Sequence, residues 1–96
     1  MKRIYISGPI TGRDDYMAKF TAAEDWLKNE YEVINPAKIN SLMPDTFTHE
    51  EYMTTSLAML KCCDMIYMLK GWENSKGAKQ ELVYAAEHEL PIILEN

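Results

Sequence analysis

Short apolar runs and amphipathic stretches take turns along the whole chain. "KRIYIS" (2–7) is rich in β-branched and aromatic residues and stops at Gly8-Pro9, which predicts a strand. Residues 14–31, "DDYMAKFTAAEDWLKNEY", carry Tyr16, Phe20, Ala23 and Leu27 at helical spacing, with Asp14 or Asp15 as the expected cap. "EVIN" (32–35) predicts a short strand ended by Pro36, and 36–47 reads as a loop. Thr48 and Glu51 form a capping-box pattern that opens a helix to about Cys63, with Met53, Leu57 and Leu60 inward. "DMIYML" (64–69) predicts the third strand, broken by Gly71. Ser75 caps a helix over roughly 76–90 that Pro91 stops, and "IIL" (92–94) is the last strand.

Strands alternating with helices imply a parallel sheet covered on both faces. Right-handed crossovers then favour a three-layer α/β sandwich, flavodoxin- or Rossmann-like, with a four-stranded parallel sheet in order 2-1-3-4 and three helices. The expectation is a single domain over 1–96. In such a sheet a ligand sits beyond the carboxyl ends of the strands, where the strand order reverses. That crevice falls between strands one and three, flanked by "SGPITGRDD" (7–15) and "KGWENSKG" (70–77), with Tyr52, Met53 and Ser56 close by.

Composition narrows the picture. With 96 residues the core is small, so association into a homo-oligomer would help it. A net charge of −5 with scattered basic residues argues against binding a nucleic-acid polymer, while a small ligand in a locally positive pocket stays open. No apolar run approaches the length of a membrane span, and "MKRIYISGP" turns to Gly-Pro too early for a signal peptide, so a cytoplasmic address is expected. Cys62 and Cys63 are adjacent and expected as buried reduced thiols; His49 and His88 are far apart, so no metal site is implied.

One position resists the pattern. Ala78, Leu82 and Ala85 form the stripe that should face the sheet, and Glu81 falls on that face or its margin. It is either a boundary carboxylate that reaches water or one turned into the crevice near the positive end of the helix dipole. Ser75 and Gly77 read as an N-cap with a permissive glycine or as part of an anion site. The Tyr5 phenol either closes the core rim or reaches a carboxylate in the crevice. Trp72 either covers the core edge or stacks on a purine or pyrimidine. Asp64 lies at the opposite end of its strand and is expected to tie the preceding loop.

"YISGPITG", "CDMIYMLKGWENSKGAKQE" and "AAEHELPI", in this order, span essentially the whole chain. Together they resemble the nucleoside 2-deoxyribosyltransferases and the related deoxynucleoside 5′-monophosphate N-glycosidases, in particular short, often phage-encoded members. The resemblance implies Glu81 as a nucleophile towards the anomeric carbon of deoxyribose, with Tyr5 hydrogen-bonded to it. It implies Ser75 and Gly77 around the sugar or 5′-phosphate, and Gly8, Pro9 and Thr11 in the loop lining the same pocket. It implies a nucleoside or nucleotide partner, a homo-oligomer, and no metal or organic cofactor. At the position of the family's helical Asp this chain has Ser56, which can hydrogen-bond a base but cannot serve as a carboxylic acid. The alternative is therefore a nucleotide-binding sensor or sequestering protein that keeps the pocket without the chemistry.

Overall fold

The computed structural model describes residues 1–96. Four strands, β1 (Arg3–Ser7), β2 (Glu32–Ile34), β3 (Met65–Met68) and β4 (Ile92–Leu94), form one sheet in the order β2-β1-β3-β4. All pairings are parallel, with Tyr5 opposite both Ile34 and Ile66, and Ser7 opposite Met68. Three long helices, α1 (Tyr16–Leu27), α3 (His49–Lys61) and α4 (Lys76–Glu87), connect the strands as the sequence predicts.

The two-residue period of β1 sorts its side chains between two cores. Ile4 and Ile6 pack with Phe20, Ala23 and Leu27 of α1 on one face. Tyr5 turns to the other face, where Ile66 and Met68 meet Leu60 of α3 and Ala78 and Ala85 of α4. Asp64 ties the chain entering β3 to the start of β1: its carboxylate accepts from the Arg3 N–H at 2.8 Å, and its own N–H donates to the Arg3 carbonyl, also at 2.8 Å.

Three local expectations need correction. The segment after β2 is not all loop: Pro36–Asn40 is a short helix, α2. Asn35 caps it by accepting from the N–H groups of Ala37 and Lys38, and Pro36 occupies the first turn, where its missing donor costs nothing. Asp15 stands at the start of α1 without capping it; its carboxylate lies 3.4 Å from the Arg13 guanidinium instead. Of the two thiols only Cys63 is buried, which pushes it up to about 11, while Cys62 is exposed. The capping box of Thr48 and Glu51 is complete. No helix is long and apolar enough to cross a membrane.

Candidate active site

At the carboxyl end of the sheet, where the chains leaving the neighbouring strands β1 and β3 run to opposite sides of the strand order, lies a cavity of about 660 Å³. This is the range of small-molecule sites. Its walls come from the β1–α1 loop, α2, α3 and the start of α4.

Glu81 lines this cavity and is 6% exposed, deeper than its neighbour Leu82, which the sequence pattern had placed on the sheet-facing stripe. Both oxygens of its carboxylate are held. The Tyr5 hydroxyl donates to Oε2 at 2.5 Å, and the Ser7 hydroxyl donates to Oε1 at 2.6 Å. Tyr5 and Ser7 are themselves 0% and 1% exposed. Burial raises the Glu81 carboxyl above its ordinary range, and the bonds from Ser7 and Tyr5 pull it back down. The Tyr5 phenol is driven well above its usual value, first by burial and then by the Glu81 charge, so it remains a donor.

Ser7 was not singled out from the sequence, although the signal is there. Residues i and i+2 of a strand share a face. Once Tyr5 is directed at a carboxylate, the hydroxyl two positions on is directed there too.

The remaining candidates divide. Gly8, Thr11, Ser56, Ser75 and Gly77 line the cavity with Tyr5 and Glu81, whereas Pro9 and Trp72 do not. Trp72 opens a single 3-10 turn, Trp72–Asn74, and packs against the core on the α3 and α4 side, which is the core-edge one of its two expected placements. Pro9 backs the turn at Gly71, where an added Cβ would lie 3.3 Å from the proline Cγ. Gly8 is required by close approach: a Cβ there would sit 2.8 Å from the Cβ of Leu69.

Ser75 caps α4 by accepting from the Ala78 N–H at 3.1 Å. Lys76 and Gly77 occupy the first helical positions, whose N–H groups have no acceptor within the helix, and both residues line the cavity. From α3, Ser56, 5% exposed, accepts from the Asn40 side-chain amide at 3.3 Å. Asn40 lines the cavity too, and its own carbonyl oxygen, Oδ1, is buried without a partner. Asn40 was missed because α2 was read as loop. No three His, Cys, Asp or Glu residues are grouped to hold a metal ion.

A parallel α/β sandwich with a cavity and a buried carboxylate at its topological switch point is the arrangement in which such sheets place their ligand sites. Residues 2–94 match the family described as "Domain of unknown function (DUF4406)", and the chain belongs to that family. No curated protein matches it. Among solved structures, it is similar to a 2-deoxyribosyltransferase from the psychrotolerant bacterium Bacillus psychrosaccharolyticus, with a TM-score of 0.75 and 17% sequence identity. The match covers 96% of this chain and 70% of that one. The two share the nucleoside 2-deoxyribosyltransferase-like fold.

Proposed function

We propose that this protein cleaves the N-glycosidic bond of a 2-deoxynucleoside or its 5′-monophosphate, with Glu81 as the nucleophile. One observation carries this reading: a carboxylate 6% exposed, pinned through both oxygens, on the wall of a cavity large enough for a nucleoside. Cleavage develops oxocarbenium character at C1′, and a carboxylate stabilises that charge or traps it as an ester. In the first step a Glu81 oxygen bonds to C1′ while the C1′–N bond breaks. The electron pair leaves with the base, which takes up a proton from water. In the second step water adds to C1′, the ester C1′–O bond breaks with its pair returning to Glu81, and a proton is released. When the acceptor is another base instead of water, the outcome is deoxyribosyl transfer.

The wall formed by α2 and α3 suits the base. Asn40 and Ser56, hydrogen-bonded to each other there, are polar side chains for a nucleobase to meet with its exocyclic amine or ring nitrogens. The free N–H groups at the start of α4 face the sugar side and accommodate a 5′-hydroxyl or a 5′-phosphate.

The test is incubation with a mixture of deoxynucleosides and their monophosphates, followed by chromatography for free base. Release of base that is lost in Glu81→Gln supports the proposal. Saturable binding by calorimetry with the ligand recovered intact would replace it with the binding-protein alternative, and the absence of a carboxylic acid at Ser56 would then be the reason.

A further inference from the structure

We infer that Ser7 is a positioning residue for Glu81: its hydroxyl fixes the plane of the nucleophilic carboxylate, holds it ionised before attack and receives its charge again when the ester breaks. The catalytic half of this inference rests on the deoxyribosyl reading above; the structural half does not.

The terminal torsion of a glutamate is broad, so a single hydrogen bond leaves the carboxylate free to turn about it. Two donors on opposite oxygens remove that freedom. Tyr5 and Ser7 supply them from one rigid strand, two residues apart, on the face of β1 that meets α4. The Ser7 backbone is already committed to the sheet, since its carbonyl accepts from the Leu69 N–H at 2.8 Å. The residue is 1% exposed, and its hydroxyl donates to Glu81. A serine serving only to fill space here would be replaceable by alanine, whereas the 2.6 Å bond to a buried carboxylate is of the strong, charge-assisted kind.

Each carboxylate oxygen has two lone-pair directions. Ser7 and Tyr5 use one on each oxygen, which leaves the other for C1′. A hydroxyl donor makes the oxygen a weaker nucleophile, but a protonated carboxyl does not attack at all, and burial favours protonation. The Ser7 hydroxyl, like that of Tyr5, opposes that effect by donating to the ionised form. In the second half-reaction the carboxylate is the leaving group. Its charge returns in place, against donors already aimed at it, without reorganisation.

Two measurements on Ser7→Ala, Ser7→Cys and Ser7→Thr test the inference. The first is a pH titration of the Glu81 carboxyl carbon by ¹³C NMR in the unliganded protein. The midpoint should rise in Ser7→Ala and in Ser7→Cys, which keeps the volume but donates weakly, and return towards wild type in Ser7→Thr. The second is the pH profile of base release. The acid limb of kcat/KM should move up with the NMR midpoint, and kcat/KM at neutral pH should fall roughly ten- to a hundredfold, mainly in kcat. An unmoved midpoint in Ser7→Ala, or an unmoved acid limb alongside a moved midpoint, overturns the inference. Should wild type release no base, the deoxyribosyl reading fails by itself, and the titration still decides whether Ser7 holds the carboxylate ionised.

Discussion

Replacing Tyr5 by Phe removes one oxygen and keeps the ring, so nearly all the change falls on the bond to Glu81. That bond joins two groups 0% and 6% exposed at 2.5 Å, with the acceptor a carboxylate. A hydrogen bond to a charged group contributes about 1.5–3 kcal/mol, against about 0.5–1.5 kcal/mol between neutral groups. Tyr5→Phe should therefore lower stability by about 2 kcal/mol at pH 8, or roughly 8–16 °C in Tm for a domain of this size. The sign of the pH dependence follows from Glu81. Its folded-state value lies above the ordinary 4.5, so its contribution to stability is fully present below that pH and declines as pH rises through the folded value. Removing the Tyr5 donor raises the folded value further, so the decline extends to higher pH in the variant. The phenol itself, raised well above 10, does not titrate in this window. The difference between wild type and Tyr5→Phe should thus be about 1 kcal/mol at pH 4, where the pair is neutral, and widen towards pH 8. Urea denaturation at both pH values measures it. A difference that is constant or narrows with rising pH would show that Tyr5 is not bonded to an ionised Glu81.

Glu81→Gln should abolish base release yet flatten the pH dependence of stability above 4.5, because the amide accepts from one hydroxyl and donates to the other without a charge to desolvate; urea midpoints from pH 4 to 8 report this. The triple variant Tyr5→Phe/Ser7→Ala/Glu81→Met removes the polar cluster as a unit and should be at least as stable as wild type at pH 8, since no buried donor is left unpaired. A triple variant as unstable as the sum of its parts would contradict this. Gly8→Ala drives a Cβ to 2.8 Å from the Leu69 Cβ and 2.9 Å from its Cδ1, so it should lose about 1–3 kcal/mol through overpacking, read as a lower urea midpoint at unchanged slope.

The order of elements was legible because each strand is a short β-rich run bounded by Gly, Pro or a cap; handedness favoured the three-layer sandwich, and the β2-β1-β3-β4 order came from analogy with flavodoxin-like sheets. Asn35-Pro36 was misread for a definite reason. The same dipeptide ends a strand and begins a helix, and only tertiary placement, with the Asn35 amide donating to Glu24 at 3.0 Å, decides how the chain continues. Losing α2 hid Asn40. Ser7 was hidden differently: its residue type alone is unremarkable, and its role follows only when the two-residue period of β1 is combined with the pairing of Tyr5 and Glu81. Trp72 illustrates the limit of residue type as a guide: the sequence left core edge and crevice equally open for an aromatic ring there, and only the packing shows the ring against the core.

Glu81 is hard to explain as a device for folding. Desolvating a carboxylate opposes burial by several kcal/mol, and two charge-assisted bonds offset about 3–6 kcal/mol of that. The balance is near zero, so an apolar side chain of similar volume among Ala78, Ala85 and Met68 would serve the core as well with none of the geometric demands. The demands are considerable: a fully buried tyrosine and serine must present hydroxyls from alternate positions of the central strand, and the helix must deliver the carboxylate between them. The same carboxylate lies beside a cavity lined also by Ser56 and Asn40 and by the start of α4, whose first N–H groups have no acceptor within the helix. A group that adds nothing net to stability, is fixed in orientation and faces space fitted with complementary polar atoms is best accounted for by what enters that space.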